Sequence, residues 1–288
     1  MVKNTNLHKA KNAKNDEFYT QLTDVAKELM HYKKHFKDKI VFCNCDDPTW
    51  SAFWKYFHLN FAELGLKKLI STHYDREEAT YKMEYTGGDD NDIDVGVKTP
   101  LEGNGDFRNQ ECLDLLDECD IVVTNPPFSL FREYVAVLME HEKKFLIIGN
   151  KNAITYKEFF PLLKDDEVWI GCTNVKEFLQ PDGSIKKFGN IGWFTNLDVA
   201  KRHEKLILWK KYTPEEYPTY DNYDGVMGVP ITFMDKYNPI DFEIIGADEA
   251  EGTGFSNGLY IQGSRYKQCY ANGKRIYKRI FIRRKVGA

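Results

Sequence analysis

A chain of 288 residues with 42% hydrophobic and 14% aromatic residues can bury a substantial core, which excludes a disordered protein. Its formal net charge of -4 gives no overall attraction to nucleic acid, so a polyanionic partner would have to be met by a local basic surface. No apolar run approaches the roughly 18 residues of a membrane span, and the amino terminus, with Lys3, Lys9, Lys11 and Lys14, has no apolar signal core, so a cytoplasmic protein is expected.

In chain order, Leu22 to Phe36 reads as a first helix and Lys39 to Cys45 as a first strand. Trp50 to Leu64 is an aromatic-rich helix closed by Gly65, and Lys68 to His73 a second strand. The segment from about Tyr81 to Gly105, with Gly87-Gly88 and a run of acids, is the longest excursion. Glu111 to Asp117 is a short helix leading into a strand at Asp120 to Thr124, followed by a helix from Leu130 to Glu142 and a buried strand from Phe145 to Gly149. Val168 to Gly171 and Ile191 to Thr195 are later strands. This rhythm predicts an α/β fold built on a doubly wound, mostly parallel sheet, Rossmann-like, with right-handed crossovers. The economical partition is a main domain over residues 1-208 and a smaller β-rich part over 209-288 that packs on it.

The six cysteines (Cys43, Cys45, Cys112, Cys119, Cys172 and Cys269) show no C-x-x-C pair and fit reduced thiols better than ligands. The seven histidines are scattered, and no metal is expected. From Ile261 onward nine basic residues and no acid occur, interleaved with Tyr266, Tyr270, Ile276, Tyr277 and Phe281. That alternation predicts strands with one packed and one basic side, and makes Lys274, Arg275, Lys278, Arg279, Arg283 and Arg284 candidates for phosphate contact.

The most informative stretch is Asp120-Ile-Val-Val-Thr-Asn-Pro-Pro-Phe-Ser129, in which an apolar strand ends directly in Asn125-Pro126-Pro127-Phe128. The carboxyl ends of strands are where open α/β sheets bind ligands. Two prolines stiffen the turn and remove two donors. The Asn125 side chain and the turn carbonyls are acceptors and Phe128 is a stacking plate, a set suited to a planar ligand bearing an NH2 group.

These residues resemble the Asn-Pro-Pro-Phe/Tyr motif of S-adenosylmethionine-dependent amino-group methyltransferases, above all those acting on the adenine exocyclic nitrogen. The resemblance implies that Asn125 and the Pro126 carbonyl hold the amine, with Pro127 stiffening the turn and Phe128 stacking on an extruded base. Other elements follow in that family's order. Phe18-Tyr19-Thr20 is similar to an aromatic-Thr element that encloses the cofactor. Asn44, Asp46 and Asp47, in Cys43-Asn-Cys-Asp-Asp-Pro48, occupy the end of the first strand. There the family carries a glycine loop that this chain lacks, and Asp46 or Asp47 would pair with the cofactor's methionine amine. Asp75 is placed to hold the ribose hydroxyls, and Asp106-Phe107, after Gly105, to meet the cofactor adenine.

The resemblance narrows further. The Cys43 to Pro48 segment, Ser51-Ala-Phe-Trp-Lys-Tyr-Phe57, Gly189-Asn-Ile-Gly-Trp-Phe-Thr-Asn196 and Lys278-Arg-Ile-Phe-Ile-Arg-Arg-Lys285 are similar over nearly the whole chain to the EcoRI-type adenine-specific DNA methyltransferases. This implies S-adenosyl-L-methionine as cofactor and double-stranded DNA as partner. It also implies a monomer that flips one adenine from its site, and a partner restriction endonuclease as a possibility. In that family Trp193 lies near the target pocket, whereas the plainer reading makes it a core residue. Rival expectations are the same chemistry on RNA or on a protein glutamine, or a nucleic-acid-binding homologue without catalysis. A nicotinamide-dependent oxidoreductase would need a glycine-rich fingerprint after the first strand, which is absent.

Overall fold

The computed structural model describes residues 19–75, 79–180, 183–205, 225–247 and 279–285, together with the backbone of 269–271 and 274–276. By packing they fall into two units, one of residues 1–150 and 171–197, the other of 151–170 and 198–288.

The first unit is built on a nine-stranded sheet of order β1-β8-β9-β7-β6-β2-β3-β4-β5. Its strands are β1 (Tyr19–Thr20), β2 (Ile40–Cys43), β3 (Lys68–His73), β4 (Tyr81–Tyr85), β5 (Val97–Pro100), β6 (Ile121–Thr124), β7 (Lys144–Asn150), β8 (Trp169–Leu179) and β9 (Ile185–Thr195). The helices are α1 (Leu22–Leu29), α2 (Ala52–Leu59), α3 (Phe61–Leu64), α4 (Gln110–Glu118) and α5 (Phe131–Glu140). β3, β2, β6 and β7 pair in parallel and form the centre. Their near-continuous apolar sequences, such as Ile-Val-Phe-Cys in β2, are buried throughout, as suits a strand covered on both faces.

The mostly parallel sheet expected from the sequence is confined to these four strands. β4, β5, β9 and β1 pair antiparallel with their neighbours. For β4 the reason is connection length: only seven residues, 74–80, separate it from β3, too few for the crossover that parallel pairing needs. The excursion expected from Tyr81 to Gly105 is therefore sheet edge, with Tyr81 and Tyr85 buried on β4.

Local signals explain the helices that frame the site. Ser51 caps α2, its Oγ accepting from the Phe53 and Trp54 N–H groups at 3.1 and 3.2 Å. Gly65 ends α3 in the left-handed conformation at φ 63. The first helix stops at Leu29 and continues only as a 3-10 turn at Lys33–His35, shorter than the predicted span to Phe36. Glu28 on α1 is fully buried and joins the helix to β8. Its carboxylate accepts from the Tyr32 hydroxyl at 3.0 Å, the Cys172 N–H at 2.7 Å, and the Thr173 N–H and hydroxyl at 2.6 Å.

The second unit contains helix α6 (Phe160–Lys164), a three-stranded sheet of order β10 (Val226–Pro230), β14 (Arg279–Arg284) and β11 (Phe242–Ala247), and a hairpin of β12 (Cys269–Ala271) with β13 (Lys274–Ile276). The predicted alternation of packed and basic sides fails along β14, where Ile280, Phe281 and Ile282 are all fully buried. As the middle strand of its sheet, β14 is covered on both faces and its arginines flank the buried triplet. Among the described residues no helix is long and apolar enough to cross a membrane.

Candidate functional site

The site is built at the carboxyl edge of the parallel strands in the first unit. β6 delivers Asn125 there, and Pro127 holds the chain extended at φ -54, ψ 126. A single 3-10 turn, Phe128–Leu130, closed by the Leu130 N–H on the Pro127 carbonyl at 2.9 Å, then leads into α5. Phe131 opens that helix against Gly149 of β7, where a side-chain carbon would overlap the Phe131 ring. This packing fixes the far end of the turn.

Asp46 fixes the near end. It is 5% exposed, and its carboxylate accepts from the Thr124 hydroxyl and, at 3.3 Å, from the Asn125 N–H. Burial pushes its carboxyl up to about 7, against the pull of the hydrogen bonds from Thr124, Asn125 and Ser51. The loop after β2 is anchored in turn by Ser71, which donates to the Cys43 and Asp46 carbonyls, and by Thr72, which donates to the Asn44 carbonyl at 3.1 Å. The buried Asn44 side chain accepts from the Tyr134 hydroxyl of α5. Asp47 accepts from the Thr49 N–H at 2.8 Å and the Tyr81 hydroxyl at 3.0 Å, and lies 2.7 Å from His73 Nδ1. Three residues expected at the cofactor therefore also tie β2 to β3, β4, β6 and α5.

At the end of β3, Asp75 is half-buried and its N–H donates to the Asn104 carbonyl at 3.3 Å. Gly105, at φ 72, makes this approach possible: a Cβ there would overlap the His73 carbonyl oxygen and lie 3.1 Å from Tyr74 Cα. The structure thereby brings Asp75 and Asp106 onto adjacent loops. The Asp106 carboxylate accepts from Arg108 Nε at 2.8 Å and Nη2 at 2.6 Å, while Arg108 Nη1 reaches Glu133 at 3.0 Å. Phe107 is buried with its ring edge-on to Tyr134, centroids 5.0 Å apart.

On the other side of the turn, β1 pairs with β8, Tyr19 opposite Leu179 and Thr20 opposite Phe178. Tyr19 lies 3.9 Å from Trp50, centroid to centroid. The Thr20 hydroxyl is buried without a hydrogen-bond partner among the described residues. Phe128 meets Phe178 at 6.0 Å and Phe188 at 5.9 Å, both edge-on. Trp193 is fully buried against Phe53, 5.9 Å away, as the plainer expectation had it.

Phe18 and Lys278 lie outside the described residues, as do the side chains of Lys274 and Arg275. Arg279, Arg283 and Arg284 belong to the second unit, where Arg283 pairs with Glu243 at 2.6 Å. Thr124, Tyr134, Arg108, Phe178 and Phe188 stand out only in the folded chain. Thr124 had a signal, since a hydroxyl at the last strand position before Asn125 faces the neighbouring strand end. The other four depend on long-range packing. Cys43, Cys45, Cys112, Cys119 and Cys172 are free thiols, and among the described residues no group of three His, Cys, Asp or Glu gathers as a metal site.

The family described as "Adenine-specific methyltransferase EcoRI" matches residues 6–285. Type II methyltransferase M.EcoRI of Escherichia coli is 42% identical over 97% of this chain and 96% of its own length. Type II methyltransferase M.MpnI of Mycoplasma pneumoniae is 35% identical over 96% and 98%. No solved structure matches the chain.

Proposed function

The chain belongs to the EcoRI family of adenine-specific methyltransferases, and from that premise we propose that it methylates the exocyclic N6 of one adenine flipped out of double-stranded DNA, using S-adenosyl-L-methionine. The observation that carries this reading is the placement of Asn125-Pro126-Pro127-Phe128 at the end of a central parallel strand, on the edge that also carries the Asp75 and Asp106 loops.

The residues fit the cofactor. The buried Thr20 hydroxyl has no hydrogen-bond partner among the described residues, and Gly105 leaves no room for a side chain where the backbone draws the two acidic loops together. Asp75 would hold the ribose hydroxyls, Asp106 and Phe107 the adenine ring, and Tyr19 and Thr20, continuing from Phe18, would enclose the methionine part. When bound, S-adenosylmethionine supplies a methyl group already activated on a sulfonium.

The chain's own part is position and polarity. The Asn125 side-chain carbonyl and the Pro126 carbonyl accept the two amine hydrogens, Pro127 keeps the turn stiff, and Phe128 stacks on the extruded base. Asn44, Asp46 and Asp47 hold the strand end, Asp46 acting on the turn through Thr124 and the Asn125 N–H. No general base is needed, because the amine proton can leave after transfer. The sheet is read as doubly wound, and residues 1-208 as the methyltransferase domain. Residues 209-288 add phosphate contacts through Lys274, Arg275, Lys278, Arg279, Arg283 and Arg284. We read the protein as a monomer acting in the cytoplasm.

The test is methyl transfer from labelled S-adenosylmethionine to mixed-sequence duplex DNA, RNA and protein in parallel. N6-methyladenine in DNA alone supports the reading, whereas label confined to RNA or to glutamine replaces the substrate.

A further inference from the structure

β9 pairs with β7 only over Ile191 to Thr195, opposite Asn150 to Leu146. Because the two strands are antiparallel, the earlier part of β9, from Ile185 to Asn190, runs on past the carboxyl edge at which β6 and β7 end. At about 3.3 Å per residue this overhang extends roughly 20 Å beyond the edge that carries Asn125. It is not core strand: Ile185 is 57% exposed, and Lys186 and Lys187 are exposed beside it.

The overhang is nonetheless fastened to the site. The Phe188 ring meets Phe128 at 5.9 Å and Phe178 at 5.5 Å. Strand alternation puts Lys186 on the face of Phe188 and Lys187 on the opposite face. The contacts agree: Lys186 Nζ lies 5.4 Å from the Phe188 ring centroid, while Lys187 pairs with Glu177 of β8 at 2.9 Å. A cation is thus held beside the aromatic residue that packs on Phe128, over an edge that receives a polyanion under the function proposed above. A base turned out of a duplex brings its own phosphate to the rim of the pocket.

We propose that the overhanging half of β9 grips the DNA strand bearing the target adenine, with Lys186 binding a phosphate next to the flipped nucleotide. This rests on the DNA-adenine reading and adds a contact surface to it. An exposed strand end that carries cations on both faces serves phosphate neutralisation, and only the face shared with Phe188 can serve it at the pocket.

The experiment measures binding of the full-length protein to a fluorescein-labelled duplex containing its methylated sequence, across a salt series, with cofactor affinity measured in parallel. Lys186→Gln is expected to weaken binding roughly fivefold at 0.1 M salt and to make the log–log salt slope shallower by about 0.9, the value of one phosphate contact. Lys186→Arg is expected to restore both, and Glu177→Gln, which breaks the Lys187 pair without removing a cation, to weaken neither. Unchanged affinity and slope in Lys186→Gln would overturn the grip while leaving the function intact. Failure of the wild type to bind or methylate any duplex would overturn the function and the grip together. An equal loss in Glu177→Gln would also overturn it, because the Glu177–Lys187 link between β8 and β9 rather than the Lys186 charge would then be what binding senses.

Discussion

Gly105→Ala tests whether close approach of two loops builds the cofactor cradle. At φ 72 an alanine adopts a left-handed conformation, which costs about 1–2 kcal/mol. Its Cβ would also overlap the His73 carbonyl oxygen and sit 3.1 Å from Tyr74 Cα. Both are backbone atoms that cannot rotate away, so a further 1–3 kcal/mol is expected, as for an overpacked core. A total of roughly 2–5 kcal/mol corresponds to a fall in Tm of about 3–8 °C for a chain of this size. Relief of the clash would push the Asn104–Phe107 loop off the end of β3 and break the Asp75 N–H to Asn104 carbonyl bond. Affinity for S-adenosylmethionine, by calorimetry, should then drop about tenfold or more. Gly105→Asn separates the two causes: asparagine tolerates a positive φ but still carries the clashing carbon, so it should lose only the clash part, about 1–3 kcal/mol. A Gly105→Ala protein within about 0.5 kcal/mol of wild type, with unchanged cofactor affinity, would refute the reasoning.

Three further outcomes follow from the same geometry. Burial holds the Asp46 carboxyl near 7 in the folded protein, against 3.8 unfolded. The stability gained from its proton is therefore full below about pH 4 and lost as pH rises through 7, so wild-type stability relative to Asp46→Asn should decline over that window by about 1.4 kcal/mol per unit at most; parallel pH profiles would contradict this. Glu28→Ala strips one buried acceptor from the Cys172 and Thr173 N–H groups, and with two buried donors left unsatisfied urea denaturation should show a loss of about 2–5 kcal/mol, with a loss under 1 kcal/mol arguing against the anchor. Phe128→Ala removes a stacking plate worth about 1–3 kcal/mol and should lower kcat/KM for DNA by roughly fivefold to a hundredfold while leaving cofactor affinity unchanged; equal loss of both would assign the ring to the fold.

The parts of this architecture that the sequence carried are those governed by local rules. The apolar run ending in Asn125-Pro126-Pro127-Phe128 could only be a buried strand delivering a stiff turn, and β3 and the left-handed Gly65 lie where strand periodicity and helix-stop chemistry put them. Strand direction was not local information. The alternation of Tyr81, Met83 and Tyr85 is compatible with either orientation, and the antiparallel β4–β5 edge follows from connection length. β14 misled because interleaved bases and apolar residues suggest a half-exposed strand, whereas a central position buries Ile280 to Ile282 together. At the site, the sequence placed Asp46 at a strand end but could not say which way its carboxylate turns. Nor could it bring Phe178 and Phe188, some fifty and sixty residues downstream, against Phe128. Their exposed neighbours Lys186 and Lys187 have no apolar periodicity and were invisible as strand for the same reason.

The most direct test of the central claim is to express the chain in a bacterial host lacking adenine methylation and sequence the genomic DNA for N6-methyladenine, wild type beside Asn125→Ala. The account predicts N6-methyladenine at one recurrent short sequence with the wild type and none with the variant. A genome without N6-methyladenine in the presence of folded, cofactor-binding wild-type protein, or methylation undiminished by Asn125→Ala, would contradict it.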